Sequence, residues 1–123
     1  MSNDLETLAR RAVACSKWHW MPGMLAIGHN KERRILEVTD GEPYWYGDGY
    51  RFRLIDGFPD LSDPATVGCL LALVREAHRD PRMFVEAYSF LRDKWRCVGV
   101  SFSMHWIGPD EAEALVAALE AAP

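Results

Sequence analysis

The segment Pro59-Asp60-Leu61-Ser62-Asp63-Pro64-Ala65-Thr66-Val67-Gly68-Cys69-Leu70-Leu71-Ala72-Leu73-Val74-Arg75-Glu76-Ala77 constrains the fold more than any other. It carries its own helix start. Asp63 is placed to accept from free backbone N–H groups as an N-cap, and Pro64 suits the first helical position, where no N–H is required. Val67, Leu70, Leu71 and Val74 recur at i, i+3, i+4 and i+7, and Cys69, Ala72 and Leu73 widen that stripe around most of the cylinder. Such a helix, expected over about 64–79 with Asp80-Pro81 as its stop, lies at the centre of a core or between two surfaces.

The rest of the chain reads as strands and two further helices. Residues 3–15 read as a helix with Asn3 as cap and Glu6 three residues on, Leu5, Leu8, Ala9, Ala12 and Val13 inward, and Glu6, Arg10 and Arg11 toward water. Pro22-Gly23 breaks the chain, and Met24–Ile27 reads as a first strand. A strand over Arg34–Thr39, with Leu36 and Val38 on one face, leads into the hairpin signal Asp40-Gly41. Tyr44-Trp45-Tyr46 follows, then a second tight turn at Gly47-Asp48-Gly49. Tyr50–Leu54 alternates, with Tyr50, Phe52 and Leu54 opposite Arg51 and Arg53.

After the central helix, Met83–Tyr88 and Trp95–Ser103 read as a hairpin turning near Arg92-Asp93. Pro109-Asp110-Glu111 opens a last helix that buries Ala112, Leu115, Val116 and Leu119. The expected architecture is one α+β domain over residues 1–123. It has an antiparallel sheet (meander plus hairpin) and three helices, in the order α-β-β-β-α-β-β-α.

Composition narrows function by exclusion. With 123 residues, 14 basic against 18 acidic and a net charge of −4, the chain lacks the cationic surface that polynucleotide binding needs. No signal peptide or membrane span is expected, and Cys15, Cys69 and Cys97 are odd in number and widely spaced. The expectation is a cytoplasmic protein with reduced, buried cysteines. His19, His29, His78 and His105 show no zinc spacing, so no metal is expected, and His78 reads as a packing residue at a helix end. No nucleophile elbow and no phosphate loop occurs, and Ser101 and Ser103 read as strand positions. Neither catalysis nor a cofactor is expected.

What remains is a pairing of flat rings with guanidinium groups. Trp18, Trp20, Trp45 and Tyr46 are candidate stacking groups, and Arg33, Arg51 and Arg53 candidate phosphate partners. Ala65, Gly68 and Ala72 form a small-residue strip where another backbone is expected to come close, either the last helix or a second subunit. Glu111, Glu113 and Glu120 are a candidate acidic face for a protein partner.

Leu8-Ala9-Arg10-Arg11 leading to Trp18-His19-Trp20-Met21-Pro22-Gly23-Met24, the 59–77 segment, and Glu111-Ala112-Glu113-Ala114-Leu115-Val116-Ala117-Ala118-Leu119 together resemble small uncharacterised accessory proteins encoded by tailed bacteriophages and prophages. That resemblance implies a viral protein and assigns no residue a role. Small phage proteins without enzyme signatures often act against host defence, by capturing a nucleotide signal or by binding a defence protein. The leading expectation is a non-enzymatic homo-oligomer that sequesters a small nucleotide-like molecule. The alternatives are a protein–protein inhibitor resembling anti-CRISPR proteins, a phage assembly factor, or a nucleotide-processing enzyme.

Overall fold

A computed structural model of the chain describes residues 2–28, 31–88, 93–99 and 105–123. Three helices, α1 (Ser2–Val13), α2 (Pro64–His78) and α3 (Glu111–Glu120), separate two blocks of strands. The first block holds β1 (Leu25–Gly28), β2 (Lys31–Arg34), β3 (Glu37–Thr39), β4 (Glu42–Gly47), β5 (Tyr50–Arg53) and β6 (Phe58–Pro59). The second holds β7 (Phe84–Ala87), β8 (Trp95–Val98) and β9 (His105–Gly108). The strands form antiparallel sheets ordered β2-β1-β6, β3-β4-β5 and β7-β8-β9. The α+β class and the sequence helix, strands, helix, strands, helix are those read from the residues.

The finer division differs in instructive ways. The strand expected over Arg34–Thr39 is two strands in two sheets. The Ile35 side chain is fully buried, its N–H donates to the Met24 carbonyl at 2.8 Å, and its own carbonyl accepts from Gly23 at 2.7 Å. One residue later, Leu36 N–H donates to the Tyr44 carbonyl at 3.0 Å. The chain therefore changes partners between 35 and 36, and it is Leu36 that is exposed. Helix α1 begins at Ser2, so Asn3 lies inside its first turn instead of ahead of it. Of the strand expected over Trp95–Ser103, Trp95–Val98 is present; Ser101 and Ser103 lie outside the described residues, as do His29 and Arg92. Strand β9 was not anticipated.

Helix α2 starts and stops as its sequence dictates. The Asp63 carboxylate accepts from Thr66 N–H at 3.0 Å, and Pro64 opens the first turn. At the other end Arg79 takes the left-handed conformation (φ 53°) and Asp80 N–H returns to the Arg75 carbonyl at 3.0 Å. The buried face is Thr66, Leu70, Leu73 and Val74, so Val67, Cys69 and Leu71 are only half-covered. Leu70, Leu73 and Val74 pack with Leu8, Ala9 and Ala12 of α1 and Leu115, Val116 and Leu119 of α3. His78 does pack at the helix end, hydrogen-bonded through Nε2 to the Ala118 carbonyl at 2.7 Å, with its ring 4.9 Å from that of Trp106 and tilted 47° to it.

Arg11 does not simply face water. It binds Glu120 at 2.7 Å and Glu113 at 3.1 Å, clamping α1 to α3. Two of the three carboxylates of the candidate acidic face, Glu113 and Glu120, thereby share one cation, and the Arg11 guanidinium holds the Glu120 carboxyl below its ordinary value.

The β3-β4-β5 sheet stands apart from this core. Residues 36–57 supply nothing to the main buried cluster or its partly buried periphery. What holds the sheet together is its own cross-strand pairs and two tight turns, Asp40-Gly41 (φ 52° and 80°) and Asp48-Gly49 (φ 52° and 81°). Paired positive φ at both turn positions matches the right-handed twist of the flanking strands. A unit without core anchorage opens more readily than one with it. In hydrogen exchange, the paired amides of β4 and β5 are expected to exchange on the order of a hundredfold faster than those of Leu70–Val74. Equal protection would show that the sheet opens only with the whole fold.

Candidate functional site

Register decides where the aromatic and basic candidates go. Two-residue turns pair Glu37 with Tyr44, Tyr46 with Arg51, Tyr44 with Arg53 and Trp45 with Phe52. Directly paired residues share a face. Glu37, Tyr44, Tyr46, Arg51 and Arg53 therefore occupy one face of the sheet, and Trp45 and Phe52 the other.

The first face satisfies itself. The Glu37 carboxylate accepts from the Tyr46 hydroxyl at 2.5 Å and the Thr39 hydroxyl at 2.6 Å, and pairs with Arg51 at 3.1 Å. The Arg51 guanidinium lies 3.7 Å from the centre of the Tyr44 ring. Hydrogen bonds from Thr39 and Tyr46 hold the Glu37 carboxyl below its ordinary value, and the same carboxylate raises the Tyr46 phenol. Tyr46 and Arg51 are thus engaged within the chain, not held open for a ligand.

The second face borders a hollow of about 270 Å³ between this sheet and the β1-β2 pair. Lys31, Arg33, Trp45, Ile55 and Asp56 line it, with Arg53 at its border. The Trp45 indole is stacked on Phe52 (4.5 Å between centres, 20° between planes), and the Arg33 guanidinium sits 4.3 Å from the indole centre. A guanidinium over an indole face is attracted by the ring quadrupole, which orders the Arg33 side chain against this wall. Among the described residues, Lys31, Arg33 and Arg53 pair with no carboxylate. Cations without ion-pair partners outnumber the single lining carboxylate, Asp56, at this concavity, in a chain of net charge −4.

Comparison of the chain with protein-family models, with curated proteins and with solved structures finds no match. The reading of the site therefore rests on its own geometry.

The remaining candidates lie elsewhere. Trp18 and Trp20 meet edge to face at 5.5 Å, and both pack against the main core. Between them His19 Nε2 lies 3.1 Å from a Glu76 carboxylate oxygen of α2. This loop joins neither face of the β3-β4-β5 sheet. The structure thus brings Arg33 and Trp45 to one hollow that Arg53 also lines, places Tyr46, Arg51 and, by register, the Arg53 side chain across the sheet from Trp45, and leaves Trp18 and Trp20 on the core. Lys31 was missed, although it stands two residues before Arg33 on the same strand and so on the same face.

In the small-residue strip, Ala65 and Gly68 are exposed and Ala72 half-buried. A β-carbon added at Gly68 would meet no atom within 4 Å. The last helix therefore does not make the close approach expected at this glycine, although α3 packs on α2 elsewhere.

The three cysteines are unpaired, Cys97 is fully buried, and burial pushes its thiol up to about 11. Among the described residues no group of three or more His, Cys, Asp or Glu side chains is placed to hold a metal, and no helix is long and apolar enough to cross a membrane.

Proposed function

We propose that the protein is a non-enzymatic binding protein for a small anionic ligand carrying a flat ring, a nucleotide-like molecule, received at the Lys31–Arg33–Trp45–Arg53 hollow. The observation that carries this reading is the convergence there of cations without carboxylate partners on an indole wall. Guanidinium forks bind phosphate oxygens in bidentate fashion; Phe52 and Arg33 already lie against the Trp45 ring, so a ligand ring would meet the indole edge or take the place of the Arg33 guanidinium on its face. The resemblance to phage accessory proteins supplies the setting within this proposal: capture of a signal made by the host, with the protein acting as a sponge.

Calorimetry against cyclic dinucleotides and ADP-ribose derivatives tests it. Saturable heat is expected with at least one of them. Arg33→Glu is expected to weaken binding roughly a hundredfold, since it both removes a cation and adds a repelling charge. Arg51→Ala, on the other face, is expected to change it less than about threefold. Absence of heat with every compound, or a larger loss with Arg51→Ala than with Arg33→Glu, overturns the reading. Recovery of the ligand unchanged after denaturation is the expected outcome for a binder; a converted ligand would point to an enzyme.

A further inference from the structure

A second concavity, which shares no lining residue with the first, is larger and of different character. It is an apolar trough of about 620 Å³. Val67 and Leu71 of α2, Leu115 of α3, and Val85 and Trp95 of the β7-β8 pair line it. Through Leu5, Leu61 and Ser62 it runs into an adjoining hollow of about 310 Å³ that reaches Ile27 and Phe58. This is the uncovered flank of the helix whose apolar character extends around most of its circumference, and Gly68 stands at its mouth with open space above it.

The ionisable residues that line the trough are acidic, while Arg10 stands at its far end. Asp110 and Glu111 line the larger part, and Glu6 and Asp60 the smaller; no lysine or arginine lines either. Asp110 caps α3 and Asp60 accepts from Ser62, and both do so as carboxylates. Glu6 pairs with Arg10, whose guanidinium lies over the Phe58 ring at the far end. Glu111 forms no ion pair among the described residues.

We infer that this trough is the docking channel for an apolar segment of a protein partner that carries basic residues beside its apolar stripe. Val67, Leu71, Val85 and Trp95 stay half-exposed in this concavity, which leaves room for apolar side chains of a partner segment. Its continuation past Leu5 into the second hollow suits an elongated segment better than a compact ligand, which prefers an enclosed site. The carboxylates of Asp60, Asp110 and Glu111, in no ion pair among the described residues, favour basic flanks on the partner and disfavour acidic ones. The inference is independent of the nucleotide reading, because it uses no residue of that hollow.

The test uses the whole protein and two synthetic amphipathic peptides of about 16 residues, with the same leucine stripe and either lysine or glutamate flanks. Binding is read by fluorescence anisotropy. The lysine peptide is expected to bind roughly tenfold or more tightly than the glutamate peptide, with the difference shrinking at high salt. Gly68→Trp fills the mouth where no atom stands, and is expected to weaken the lysine peptide roughly tenfold without lowering the melting temperature. Gly68→Leu provides the same reading with a smaller side chain, and Glu111→Lys is expected to weaken it roughly threefold. Equal affinity for the two peptides, no binding of either, or indifference to the Gly68 variants overturns the inference. A concentration-dependent dimer in sedimentation that both Gly68 variants abolish also overturns it, because a second copy of the chain would then be the occupant.

Discussion

Leu70→Ala is expected to lower the unfolding free energy by about 2–5 kcal/mol, measured as a fall in the urea midpoint at unchanged slope. Leu70 is fully buried on α2, in the cluster that also receives α1 and α3. Truncation removes the transfer free energy of the lost carbons and leaves a cavity whose walls belong to three helices and cannot all close in. Domains of this size are stable by only about 5–15 kcal/mol, so the loss is a large part of the whole. A cost under about 1 kcal/mol would show that α2 is not the hub of the core. Leu70 does not line the trough or the cationic hollow, which keeps this measurement separate from both binding tests.

Asp63→Ala is expected to cost about 2–4 kcal/mol and to lower the melting temperature on the order of 10 °C. Asp63 caps α2 and receives the Arg34 guanidinium at 2.7 Å. The Thr66 hydroxyl, on a fully buried residue, donates to Asp63 at 2.8 Å and accepts from Leu25 N–H at 2.8 Å. One carboxylate therefore ties β2, the start of α2 and, through Thr66, β1. Alanine loses the cap and leaves a buried hydroxyl proton without an acceptor; Asp63→Asn keeps an oxygen and is expected to cost about half as much. The interaction also has a pH signature. The hydrogen bond from Arg34, with those from Thr66, holds the Asp63 carboxyl below its ordinary value. A carboxyl that titrates lower in the folded than in the unfolded chain stabilises fully above the unfolded value, about pH 4, and the stabilisation drains away as pH falls through the folded value. The difference between the wild type and Asp63→Ala is expected to be constant from about pH 6 to 8 and to narrow below about pH 4. A difference that grows on acidification would contradict this assignment.

The elements legible in the sequence were those with local chemistry. Asp63-Pro64, Asp110, Asp40-Gly41 and Asp48-Gly49 each fix a helix start or a turn from two or three adjacent residues. Ile35 was not legible, because the break there depends on backbone partners at Gly23 and Met24, and the residues around it alternate like one strand. Thr66 carried no signal in the sequence; its contacts with Leu25 and Asp63 explain a buried hydroxyl.

The site was half legible. Tyr46 and Arg51 looked available until register placed Glu37 beside them, and the two-residue turns already implied that register. Counting outward from Asp40-Gly41 and Asp48-Gly49 puts Glu37, Tyr46 and Arg51 on one face and Trp45 on the other. Trp18 and Trp20 offered no such signal, since a ring in a loop serves a core as readily as a ligand.

Strand β5 ends its sheet, so among the described residues one side of its backbone has no neighbouring strand. Such a border is a template onto which another polypeptide can add and begin a fibre or clump. Here all four residues, Tyr50 through Arg53, are solvent-exposed, and every second one is an arginine. Arg51 is already paired with Glu37, so Arg53 is the charge on this border that opposes an identical copy arriving in register.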